Sequence, residues 1–174
     1  MSPRRAYADR YSAIDVFQLR SAGKEGTLSA EAALQALRAG RAVASSGPLV
    51  RFSLDGKPLG SMVRGGRPLL MRLQVEAPAW MSVSTATLIA NGRPLQTFRA
   101  RRNAPLRLDV QQKLQPESDT WYAVVVRGEK ENPLLLRRGV LPFAVTNPIF
   151  VDVDGDGRCL PKRSSPASAP TETR

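Results

Sequence analysis

The chain has no histidine and only one cysteine, Cys159, in 174 residues. Without an imidazole there is no ordinary general base near neutral pH and no nitrogen ligand for a hydrolytic zinc. Ser-His-Asp and Cys-His nucleophile systems are therefore excluded. A lone Cys159 rules out an internal disulfide, so the fold does not depend on an oxidising compartment. No run approaches the roughly 20 apolar residues of a membrane span. No apolar stretch follows the basic Met1-Ser2-Pro3-Arg4-Arg5 start, so no signal peptide is expected and a cytoplasmic setting is the default. Aromatic residues make up only 6%, which leaves Trp80 and Trp121 as the two indoles available to stack on a sugar or a base; burial at the edge of a β-structure is expected for both.

What is present favours short elements: fourteen Pro and thirteen Gly punctuate the chain with turns. The clearest helical pattern starts at Ser29, with Ala30, Ala33, Leu34 and Leu37 on one face and Gly40 as a left-handed stop. This helix is expected to dock by its Leu34/Leu37 side, since a helix of this length is not stable alone. Beyond Gly40 the apolar period changes to two. Val50, Phe52 and Leu54 alternate with polar neighbours, as do Leu69, Met71, Leu73 and Val75, and Leu106, Leu108 and Val110. Asn91-Gly92 between two such runs predicts a tight hairpin. Trp121 to Val126 predicts a central strand, and Asn147-Pro148 breaks Phe143-Ala144-Val145 from Ile149-Phe150-Val151. Seven or eight short strands at this spacing predict a mainly antiparallel β-sandwich preceded by one short α-helix. The expected organisation is a poorly patterned segment at 1–27, a helix-strand unit at 28–48, the sandwich at 49–160, and a disordered Ser/Pro/Ala/Thr tail at 161–174.

The densest candidate chemistry is Asp152-Val153-Asp154-Gly155-Asp156-Gly157. Asp152, Asp154 and Asp156 at alternate positions could converge on a hard, oxygen-preferring cation, a structural calcium above all. An EF-hand is excluded, because its twelfth position would be Arg163 rather than a bidentate Glu. The alternative is a polar turn whose Asp side chains cap backbone amides. Ser45-Ser46-Gly47-Pro48 is read as a turn, since no base exists to activate either hydroxyl. Glu76 and Asp109 sit on solvent-facing strand positions and make a weak carboxylate pair. Cys159 lies beside Arg158 and near Lys162, which would favour its thiolate, but it receives no role.

The net charge is +11, from 26 Lys+Arg against 15 Asp+Glu. Its densest patch is Arg99, Arg101, Arg102 and Arg107, the residues a nucleic-acid-binding module would use. The competing explanation is a set of solvated, arginine-rich strand faces. A carbohydrate-binding sandwich, with Trp80 or Trp121 exposed, is a further alternative.

Several segments in order resemble a known family: Ala36-Leu37-Arg38-Ala39-Gly40-Arg41, Ser46-Gly47-Pro48-Leu49, Phe52-Ser53-Leu54-Asp55-Gly56, Ala77-Pro78-Ala79-Trp80, Asn91-Gly92, Asp119-Thr120-Trp121-Tyr122, and Thr146-Asn147-Pro148-Ile149-Phe150-Val151-Asp152-Val153-Asp154-Gly155-Asp156-Gly157. Over about residues 28–160 the chain is similar to the C-terminal region of CehA/McbA-type metallohydrolases of the PHP (polymerase and histidinol phosphatase) superfamily. The resemblance implies that residues 28–48 match the end of a catalytic α/β barrel and the remainder the β-sandwich after it. Catalytic divalent metals are then expected only in that barrel, and no family ligand can be placed on this chain. Ser46-Gly47-Pro48 matches the turn that leads out of the barrel, a lining or supporting role at most. A truncated product, a split subunit and an independent module all fit. The function implied is a non-catalytic accessory or substrate-positioning module. Its implied partner is a PHP-type barrel chain, or a second copy through residues 28–48, where Leu34, Leu37 and Val43 would be left exposed.

Overall fold

A computed structural model of the chain describes residues 16–17, 30–131 and 141–160. The tail expected at 161–174 and nearly all of the segment at 1–27 lie outside these. The period-two segments are strands with one buried row each. Three of them, β3 (Leu49–Leu54), β5 (Leu69–Glu76) and β8 (Leu106–Leu114), form an antiparallel sheet in the order β3-β5-β8. The rest form a larger sheet: β1 (Val16–Phe17), β2 (Val43–Ser45), β4 (Met62–Arg64), β6 (Thr85–Ala90), β7 (Arg93–Arg99), β9 (Thr120–Arg127), β10 (Phe143–Thr146) and β11 (Ile149–Asp152). All its pairings are antiparallel except β11 with β4.

β9 is the central strand, as its uniformly apolar run predicts. β6 covers one edge, while β10 and β11 lie end to end along the other. The break at Asn147-Pro148 slips the pairing: Val145 faces Val125, and four residues on, Ile149 faces Tyr122, only three residues back. Pro148 has no N–H for a ladder, and the Thr146 hydroxyl fills the gap by accepting the Val124 N–H at 3.0 Å. The β6–β7 hairpin closes on Asn91-Gly92, whose φ angles of +49° and +82° are those a type I′ turn requires. The two sheets bury facing rows. Phe52, Leu54, Leu69, Met71, Leu73 and Val75 of the smaller sheet share one core cluster with Leu88, Val124, Val126, Ile149 and Val151 of the larger. The architecture is a β-sandwich.

Among the described residues the single helix is α1 (Ala30–Arg38). It ends in a Schellman motif, with Gly40 N–H donating to Leu37 O and Arg41 N–H donating to Ala36 O at 2.8 Å. The expected docking face is corrected. Ala36 is 2% exposed, whereas Leu34 and Leu37 are 53% and 42% exposed. The cause lies at the helix end, where Gly60 approaches so closely that a Cβ there would overlap the Ala39 carbonyl oxygen. That contact turns the small-residue side of the helix inward and leaves the leucines on the outer edge. Val43, by contrast, is buried, because β2 pairs with β10 inside the larger sheet. At residue 48 the chain passes from β2 in the larger sheet to β3 in the smaller one. β4 carries a single buried residue, Val63, too little for a sequence pattern to reveal. No helix among the described residues is long and apolar enough to cross a membrane.

Candidate functional site

Two loop clusters carry nearly all the chemistry, one built on the buried carboxylates Asp119 and Asp152 and the other on the buried guanidinium of Arg107. At the end of β11, Asp152 begins a tight turn. Its carboxylate accepts the Gly155 N–H at 2.6 Å and the Gly157 N–H at 3.0 Å. Antiparallel pairing of Val151 with Thr120 brings the next residue of β9's entry, Asp119, alongside. Asp119 is 7% exposed and accepts the N–H groups of Val153 and Leu160, both at 2.9 Å. Those backbone hydrogen bonds hold its carboxyl below the ordinary 3.8, against the opposing effect of burial.

Carboxylate oxygens of Asp119, Asp152 and Asp154 lie within 4.8 Å of one another. The set expected from spacing alone, Asp152, Asp154 and Asp156, is thus only partly brought together. Asp156 is exposed and accepts the Arg158 N–H at 2.7 Å, outside the cluster. Asp119 takes its place. Three oxygen donors suit a hard cation such as calcium better than a zinc or a redox metal, yet each oxygen of Asp119 and Asp152 already holds a backbone amide. The Arg64 guanidinium lies over Gly155 but makes no ion pair with these carboxylates among the described residues. Nearby Cys159 is half-buried, and burial pushes its thiol up, with Asp119 and Asp152 adding to the effect. The thiolate expected from Arg158 is therefore not favoured.

The second cluster lies where the loop after β5 meets the ends of β7 and β9. Between β5 and β8 the register slips: Val75 faces Leu108 and Glu76 faces Leu106, which leaves Arg107 as an extra residue. Alternation predicts Arg107 on the wet face, within the basic patch. The bulge turns it inward, to 1% exposure. Its Nη2 donates to the carbonyls of Pro78, Ala79 and Met81 at 2.7, 3.1 and 2.9 Å, and its Nη1 to Arg101 O at 3.2 Å. No carboxylate pairs with it among the described residues, and its Nε has no partner. Because carbonyls on both sides of Trp80 are drawn to one guanidinium, the indole between them is left outside, 49% exposed. This corrects the expectation that Trp80 is buried; Trp121 is half-buried. A groove of about 690 Å³ opens over Arg107, flanked by Trp80, Arg99, Arg102 and Lys130. Arg101 is exposed but does not line it.

Ser45 and Ser46 are both buried, and their hydroxyls serve the turn. Ser45 donates to Pro48 O at 2.6 Å, while Ser46 accepts the Phe143 N–H at 2.9 Å. Glu76 pairs with Arg51. Asp109 is exposed on β8, facing Gln74 across the sheet.

No family model matches the chain, and no curated protein matches it. Among solved structures, the crystal structure of an engineered protein is similar at 15% identity and a TM-score of 0.35. The match covers 61% of this chain and 20% of that one, so this chain spans about a fifth of its length. A TM-score at that level carries no inference about fold or function.

Proposed function

We propose that the chain is a non-catalytic accessory module, a β-sandwich that docks beside the catalytic barrel of a PHP-type metal-dependent hydrolase and helps position its substrate. The observation that carries this reading is the outer edge of α1. The helix is fixed to the sandwich through Ala36 and its Gly40 end, while Leu34 and Leu37 stay exposed side by side one turn apart. Paired leucines on a held helix are an apolar edge that a partner surface would cover. The segment is also the part whose residues resemble the end of the family's barrel, so a barrel is the occupant the reading commits to. The absence of histidine agrees with a chain that leaves metal chemistry to its partner.

The test is reconstitution. The purified chain should not hydrolyse phosphodiesters when supplied with manganese, zinc or iron. Added to a PHP-type barrel protein, it should form a complex and alter its turnover. Leu34→Glu/Leu37→Glu should abolish that complex without unfolding the sandwich. Turnover by the isolated chain would replace the accessory reading with an enzyme. Failure of the wild-type chain to bind the barrel, with the double variant behaving identically, would remove the docking role; self-association through the same edge would put a second copy in the barrel's place.

A further inference from the structure

We infer that the groove over Arg107 is a binding site for a phosphate attached to an aromatic base, as found in a nucleotide or in single-stranded nucleic acid. The inference stands on the basic groove and does not rest on the α1 edge. Arg99 and Arg102 belong to the densest arginine patch of the sequence, and the groove joins them to Lys130 and to Trp80, which lie far from that patch in the chain. All four are exposed at its walls. The opposing charge there is Glu129, so the groove keeps an excess of positive charge before Arg107 is counted.

Arg107 adds a feature that ordinary surface arginines lack. Its guanidinium is nine-tenths buried, meets only neutral carbonyls, and leaves Nε unpaired among the described residues. A buried cation without a counterion raises the potential of the cavity above it. Phosphate oxygens are the acceptors that Arg99, Arg102 and Lys130 would take from such a groove. The same guanidinium holds the 78–81 loop so that the Trp80 indole stands exposed at the rim. Phosphate contacts and an aromatic platform side by side are the two halves of sequence-tolerant single-strand recognition. Duplex DNA fits less well, because its bases are already stacked and offer no face to the indole.

The experiment is a titration of the full chain with a labelled oligothymidylate of about ten nucleotides. Binding is followed by anisotropy of the label and by tryptophan emission. Quenching is expected at low salt, with a log–log salt slope near −2, from about −0.7 for each of three phosphate contacts. Trp80→Ala should weaken binding by roughly ten-fold, and Arg102→Ala should reduce the slope by about 0.7. Lys113→Ala, an exposed lysine on β8 away from the groove, should leave both unchanged. Competition by thymidine monophosphate identifies a nucleotide site, and competition by the oligomer alone identifies a strand site; either supports the inference. Equal affinity in Trp80→Ala, equal weakening by Lys113→Ala, equal displacement by inorganic polyphosphate, or no binding at low salt would each overturn it.

Discussion

Two of the buried charges, Asp119 and Arg107, solve the same problem with opposite signs. Each lies at an end of the sandwich and gathers backbone groups that loop geometry would otherwise leave without partners. Asp119 collects N–H donors from Val153 and Leu160; Arg107 collects carbonyls from Pro78, Ala79, Met81 and Arg101. The difference is in what each leaves over. The acidic cluster is closed by backbone amides: both oxygens of Asp119 and of Asp152 hold one. The basic cluster is open, with an unpaired Nε, no carboxylate partner among the described residues, and a groove flanked by further cations. A closed cluster ties a loop down, whereas an open one has charge left to offer a ligand.

The comparison is broken most directly at Arg107. Arg107→Ala removes donors from four carbonyls and leaves a cavity. Hydrogen bonds to charged groups contribute more than neutral ones, so a loss of about 3 kcal/mol or more is expected in urea unfolding. Arg107→Lys should recover only part of it, because a single ammonium cannot reproduce the fork that reaches carbonyls from both Nη atoms. An unfolding midpoint unchanged in Arg107→Ala would mean that the 78–81 loop is held by something other than this guanidinium.

A smaller effect is expected at Asp119, and its signature is in pH. The folded carboxyl lies below its ordinary 3.8, so its ionised form stabilises the fold fully above that value. That contribution is lost as pH falls below 3.8 and passes through the lower folded value. Asp119→Asn should lower the thermal midpoint by a few degrees near neutral pH. It should also flatten the fall in stability as pH drops below 3.8. A variant with the wild-type acid limb would show that the Val153 and Leu160 amides do not depend on this charge.

These two anchors also mark where the sequence stops being legible. Strand patterns, the Asn91-Gly92 turn, the Gly40 helix stop and the Asn147-Pro148 break follow from local rules, and each appears where residue chemistry puts it. Arg107 does not, because a one-residue bulge reverses the face it occupies, and Leu106-Arg107-Leu108 reads as ordinary alternation. Asp119 was hidden for another reason: its place beside Asp152 depends on the register of β9 against β11, which no local pattern encodes. Trp80 follows from Arg107, since its exposure is a consequence of where its neighbours' carbonyls go. The outward Leu34 and Leu37 depend on the Gly40–Gly60 approach, a contact between residues twenty positions apart in the chain.

The smallest expected effect is the one that decides whether the acidic cluster is closed in fact. If backbone amides already compensate Asp119 and Asp152, an ion has little left to offer them, and its binding would have to overcome hydrogen bonds that exist without it. Melts in EDTA and in millimolar calcium should then agree within about 1 °C. A calcium-selective rise, lost in Asp154→Ala, would instead assign an ion to Asp119, Asp152 and Asp154, since binding to the folded state alone raises the midpoint in proportion to occupancy. Asp154 is the informative position because it is exposed and, among the described residues, accepts only the Asp156 N–H, at 3.2 Å. Its removal costs the turn little and would cost an ion one of its three carboxylates. The same substitution in calcium-free buffer should therefore leave the melt nearly unmoved, which separates a lost ligand from a damaged loop.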